Sequence, residues 1–88
     1  TIMGEQKVGT VTHYFGKHHV AIVDVTAGEL RVGEKIRVAG AHSDFTQEVG
    51  SMELEHVPVD SATVGDSVGI LVSERAREHD DVYRVTSD

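Results

Sequence analysis

The sequence contains no cysteine and no tryptophan, and in 88 residues it has one proline, two Phe and two Tyr. Without cysteine there is neither a disulfide scaffold nor a cysteine-ligated zinc module. The longest apolar run is Val20-Ala21-Ile22-Val23, far short of the roughly 20 residues that cross a bilayer as a helix, so no membrane association is expected. No basic segment followed by an apolar stretch opens the chain, as a signal peptide would require, and the expected compartment is the cytoplasm. Positive charge is also scarce: 8 Lys+Arg stand against 15 Asp+Glu, a formal charge of -7. That balance excludes a protein that coats nucleic acid with its whole surface, because such binding is driven by basic side chains displacing counterions. The length allows one core, and the reading is a single domain over residues 1–88, with 1–6 as a loose N-terminal segment.

What is abundant is valine, 15 residues of it. A β-branched excess suits half-buried strands. Strand signals recur at short intervals with turn chemistry between them: Lys7 to Phe15, His19 to Thr26, Lys35 to Ala39, Phe45 to Leu54, Ser67 to Val72 and Asp81 to Thr86. Gly50 inside the fourth segment marks a bend of the kind small barrels need. Ser73 to Asp80 is short and polar and reads as a loop. No segment has the length and periodicity of an amphipathic helix. The expected fold is all-β.

One pattern repeats. Leu30-Arg31-Val32-Gly33-Glu34-Lys35-Ile36 matches Ala62-Thr63-Val64-Gly65-Asp66-Ser67-Val68, and Ala76-Arg77-Glu78-His79-Asp80-Asp81-Val82 is a third copy with His79 in the glycine position. A glycine there supplies a positive φ ahead of a strand, and the acid after it can bond backbone N–H groups and close the turn. The repeat predicts a positive φ at Gly33, Gly65 and His79.

No catalytic constellation is visible. There is no thiol, no G-x-S-x-G elbow and no G-x-x-x-x-G-K-[ST] phosphate loop. Six histidines occur, but never at H-x-x-x-H or H-E-x-x-H spacing, and adjacent His18 and His19 would diverge on a strand. The expectation is therefore no metal, no cofactor and no catalytic residue. Glu53 and Glu55 share one face of a strand and read as a solvated outer face. One charge feature stands out: Gln6 to Val23 holds no Asp or Glu. Folded as a hairpin, it would present His13, Lys17, His18 and His19, with Tyr14 or Phe15, as a neutral-to-basic patch able to take a phosphate backbone or an acidic protein. Strand neighbours face opposite sides, so one of the two aromatic residues belongs to the core.

Four segments in order carry a family resemblance: Val8-Gly9-Thr10-Val11-Thr12, Gly28 to Ile36, Val49-Gly50-Ser51-Met52-Glu53 and Ala62 to Ile70. Together they resemble the second domain of translational GTPases such as elongation factor Tu. Val11 to Lys17 and Asp44 to Val49 look like the small stand-alone translation elongation factor-like proteins, and a similar barrel resembles the tail domain of a collagenase-like peptidase family. The resemblance implies a six-stranded closed antiparallel β-barrel. GTP binding is not implied, since the phosphate-binding loop of the larger factors is missing. What it implies about function is a non-catalytic binding module, not an enzyme, docking on RNA, the ribosome or a protein partner. The alternative is an accessory, C-terminal-type barrel of a collagenase-like peptidase that positions substrate or mediates assembly.

Overall fold

The computed structural model describes residues 3–87. Among the described residues ten strands follow one another with no helix: β1 (Met3–Phe15), β2 (Val20–Val25), β3 (Glu29–Arg31), β4 (Lys35–Ala39), β5 (Asp44–Glu48), β6 (Met52–Leu54), β7 (Val57–Val59), β8 (Ser61–Thr63), β9 (Ser67–Leu71) and β10 (Asp81–Ser87). Eight form one antiparallel sheet in the order β5-β4-β10-β1-β2-β9-β6-β7, and β3 pairs with β8 in a second, two-stranded sheet. The all-β reading and the antiparallel pairing hold. The strand count is ten where six were expected, because β3, β7 and β8 are three-residue strands too short to show an alternation, and the fourth predicted segment is split into β5 and β6. No ladder joins β5 to β7 among the described residues, so the main sheet is open in its hydrogen bonding. Residues 3–6, expected as loose, extend β1 and pair with Arg84 to Ser87; residues 1 and 2 lie outside the described residues. His19, expected in the second strand, sits in the turn before β2 with φ 56°.

Alternation places the core. In β2, Ala21, Val23 and Val25 point inward; in β9, Val68 and Ile70 do. β1 does not alternate simply. Its register shifts between Lys7 and Gly9 against β10, and between Val11 and His13 against β2. Each shift is a bulge that inserts one residue and reverses which side follows. Val11 points inward; beyond the second bulge Tyr14 packs against the core and Phe15 is left 44% exposed. The bulge thereby decides which aromatic ring is interior. Gly9 lies where β1 crosses close to β2, and a side chain there would collide with the Asp24 carbonyl.

The repeated heptad forms three equivalent turns. Gly33, Gly65 and His79 have φ of 97°, 98° and 74°. In each turn the acid's N–H donates three residues back: Glu34 to Arg31, Asp66 to Thr63, Asp80 to Arg77, at 3.2, 3.0 and 3.1 Å. The apolar residue opening each copy, Leu30, Ala62 or Ala76, is buried. Each turn is clasped to a buried valine by two backbone bonds. The N–H of Gly33, Gly65 and His79 donates to the carbonyl of Val49, Val25 and Val11, and each valine N–H donates to the carbonyl of the turn's acid, all between 2.8 and 3.0 Å. In two copies the acid side chain caps the turn as well: Asp66 accepts from the Thr63 N–H (3.0 Å) and Asp80 from the Arg77 N–H (2.9 Å).

β5 and β6 are successive pieces of one run interrupted at Val49–Ser51, where Gly50 stands. β5 pairs with β4, and β6 pairs with β9. Gln47 of β5 also reaches β9. Its amide donates to the Leu71 carbonyl (2.9 Å) and its oxygen accepts from the Ser73 N–H (2.6 Å). One side chain thus supplies the donor and the acceptor that a paired strand would have supplied through its backbone.

Candidate functional site

The outer face of β1, β2, β9 and β6 carries a groove. Register brings its side chains together. Phe15 lies opposite Val20, and Val20 opposite Leu71; in the next row His13 faces Ile22, Ile22 faces Gly69, and Gly69 faces Glu53. Phe15, Val20, Ile22 and Gly69 contribute to a concavity of about 700 Å³. Gly69 matters by having no side chain: a Cβ there would come within 3.2 Å of Val20 Cγ1 and 3.5 Å of Ile22 Cδ1, so the glycine leaves a notch in a row of side chains. The two ends are turns. His18 comes from the β1–β2 turn, and Glu55 and His56 form the β6–β7 hairpin turn. Glu55 and His56 have φ of 51° and 67°, the signature of a two-residue type I′ turn, which Asn-Gly fills most easily.

The groove is apolar below and acidic at the rim. Glu53 and Glu55 line it, and no Lys or Arg does. Ser67, at one end, donates to the Asp24 carboxylate of β2.

The four residues read as a basic patch fall in different surroundings. His18 lines the groove. His13 is exposed, with Nδ1 3.5 Å from Glu78 Oε1 and its ring edge-on to Phe15 at 4.5 Å. His19 is exposed and gives its carbonyl to the Val72 N–H (2.9 Å). Lys17 is exposed and makes no ion pair among the described residues. The acid-free run is not an acid-free surface. Lys7 pairs with Asp81 at 3.0 Å, Glu78 approaches His13, and β6 brings Glu53 and Glu55 beside Phe15 and His18. A run along one chain says nothing of the charges that antiparallel neighbours carry to it. Glu53, Glu55, His56 and Gly69 were not singled out as site residues. No sequence signal marked them: the two strands that flank Glu55-His56 are too short to show an alternation, so the hairpin turn itself was not readable.

Another outer surface holds a different cluster. Arg37 of β4 makes a two-pronged contact with Asp44 of β5 (2.8 Å each) and reaches Glu5 of β1 at 3.0 Å. The Asp44 carboxylate and then Glu5 hold the guanidinium above its ordinary pKa, and the Arg37 hydrogen bond holds Asp44 below the usual carboxylate range. This ties three strands together. Among the described residues no three His, Asp or Glu converge as a metal site requires, and no helix is long and apolar enough to cross a membrane.

Comparison with known proteins places this geometry. The chain is 33% identical over 78 residues to a collagenase of Porphyromonas gingivalis, covering 88% of the chain and 22% of that protein. It is 31% identical over 78 residues to an uncharacterized protease of Methanocaldococcus jannaschii, covering 88% and 19%. The chain thus spans about a fifth of the length of these relatives. Among solved structures it resembles the C-terminal domain of a Geobacillus thermoleovorans protein described as a U32 peptidase. The TM-score is 0.83 at 20% identity, over 90% of this chain and 91% of that one; a selenomethionine form of the same domain gives 0.82 at 19%, over 88% and 96%. These two share the fold. The relatives named here are collagenases and proteases, whereas the narrower resemblance drawn from the sequence was to stand-alone translation elongation factor-like proteins. Residues 18–82 match the family of elongation factor Tu domain 2, and the chain belongs to that family.

Proposed function

We propose that this chain is the accessory barrel of a collagenase-like, U32-type peptidase, itself non-catalytic, that positions a protein substrate or holds the enzyme's assembly together. The observation that carries this reading is the match over 88% of the chain to collagenase and protease relatives that are several times longer. The surface supports it too: an apolar groove with an acidic rim suits a protein guest, while two carboxylates repel a phosphate backbone. Docking on RNA or the ribosome, the function the translation-factor resemblance put first, has less support, because the acid-free hairpin is flanked by Asp81, Glu78, Glu53 and Glu55. On the same reading the curled sheet is a six-stranded barrel. β5 and β6 are one bent strand whose halves pair with β4 and β9, so the ring closes through Val49–Ser51, with Gln47 filling the gap.

The test is affinity purification of the protein tagged at its own locus, with identification of every polypeptide and RNA recovered. The expected result is a U32-type peptidase catalytic region, within the same polypeptide or bound to it. Recovery of ribosomal proteins and ribosomal RNA without any peptidase would overturn the proposal.

A further inference from the structure

We propose that the groove between the β1–β2 turn and the β6–β7 hairpin is a docking site for an extended peptide segment that pairs apolar side chains with Lys or Arg. This deepens the accessory-barrel reading and takes from it only that the guest is a protein chain.

Three observations converge. First, the floor is apolar and open. Phe15 is 44% exposed; Val20, opposite it, is half-buried, and so is Ile22 in the next row; Leu71, on the far side of Val20 at the groove's margin, is 52% exposed. Large apolar side chains left contiguous on the surface of a strongly charged chain mark an interaction surface. Gly69 deepens this one by leaving room for a guest side chain where any other residue would fill it. At about 700 Å³ the concavity accommodates several side chains. Second, the rim is one-signed. Glu53 and Glu55 stand over the apolar floor, no Lys or Arg lines it, and the chain as a whole carries -7. A guest cation gains from both the local pair and the long-range field. A second copy of this chain would bring a net charge of the same sign to the rim. Third, one end is held in unfavourable backbone. Glu55 and His56, both lining the groove, have φ of 51° and 67°, a region non-glycine residues avoid, and such conformations cluster at ligand clamps. The peptide would lie with its apolar residues on Phe15, Val20 and Ile22, its alternate basic residues turned to the rim.

Fluorescence anisotropy with the 88-residue chain tests this directly. The probes are a labelled Leu-Lys-Leu-Lys-Leu-Lys peptide, whose extended form puts Leu on one side and Lys on the other, its Leu-Glu-Leu-Glu-Leu-Glu counterpart and a ten-nucleotide uridine RNA. The Lys peptide should bind and be weakened by salt, with the other two much weaker. The double variant Glu53→Gln with Glu55→Gln keeps the shape of both side chains and should weaken the Lys peptide by roughly threefold to tenfold. Gly69→Ala, which fills the notch, should weaken it as well, and Glu48→Gln, outside the groove lining, should leave it unchanged. Circular dichroism checks that each variant is folded. Equal binding of the Lys and Glu peptides, indifference to the Glu53/Glu55 variant, preferential binding of the RNA, or self-association that buries the groove would each overturn the proposal. Recovery of a peptidase in the purification above would still stand in those cases, so the two readings fail separately.

Discussion

Replacing Gln47 by alanine tests whether one side chain does the work of a missing strand pairing. In the native fold its amide donates to the Leu71 carbonyl at 2.9 Å and accepts from the Ser73 N–H at 2.6 Å, with the Ser73 hydroxyl at 3.1 Å. Each net hydrogen bond is worth about 0.5–1.5 kcal/mol, and more is lost where a backbone group is stranded without a partner. Gln47 is half-buried, so water recovers part of that loss. The two backbone bonds together therefore cost about 2 kcal/mol. For a domain of this size 1 kcal/mol corresponds to roughly 4–8 °C in Tm, so Gln47→Ala should melt roughly 8–16 °C below the parent. Hydrogen exchange localises the effect. The Ser73 amide should lose protection, while the neighbouring Val72 amide, bonded to the His19 carbonyl at 2.9 Å, should keep most of its own. A Tm within about 2 °C of the parent, or equal loss at Ser73 and Val72, would refute the reasoning and mean that core packing alone holds β5 against β9.

Four further outcomes follow from the backbone and the charges. His79→Gly should stabilise the protein by up to about 1 kcal/mol, because His79 holds φ 74° in a turn where its two counterparts are glycine; Gly65→Ala should cost about 1–2 kcal/mol by the same reasoning, since a Cβ there meets no atom within 4 Å and only the φ of 98° opposes it. Urea unfolding measures both. Glu55→Asn with His56→Gly should raise stability by about 1–2 kcal/mol, since Asn-Gly is the preferred filling of a type I′ turn, while removing one carboxylate of the groove, so a rise in Tm with weaker binding of the Lys peptide is expected. Asp44 has a depressed carboxyl pKa when folded because Arg37 bonds the ionised form, so its contribution is present above its unfolded value near 4 and lost as pH falls through the folded one. Asp44→Asn should therefore give a shallower decline of the urea midpoint below about pH 4.

How legible the molecule was in its sequence differs by feature, for physical reasons. Positive φ at Gly33, Gly65 and His79 could be read because a tight turn is local: an apolar anchor, a residue tolerant of left-handed backbone and an acid that caps the turn all lie within a few positions. The interruption of the strand run at Gly50 was legible too, because a lone glycine weakens a strand where it stands. Three-residue β3, β7 and β8 were not, because a two-residue alternation needs more length than they have. Nor was the groove. Its members come from Phe15, Ile22, Glu53 and Gly69, on four strands, and only pairing register sets them side by side.

The sequence by itself determined that this is an all-β chain without thiol chemistry, and where the three turns of the repeated heptad fall, because valine content, glycine placement and the absence of cysteine act through local backbone preference and composition. The tertiary structure alone decided that Phe15 faces solvent and Tyr14 the core, since one bulge after Val11 reverses the side on which each later residue emerges. It also decided the charge of the surface. An acid-free hairpin became part of an acid-rimmed groove because β6, the β6–β7 turn and β10 carry Glu53, Glu55 and Asp81 to its flanks, and electrostatic interaction follows distance in space rather than order along the chain.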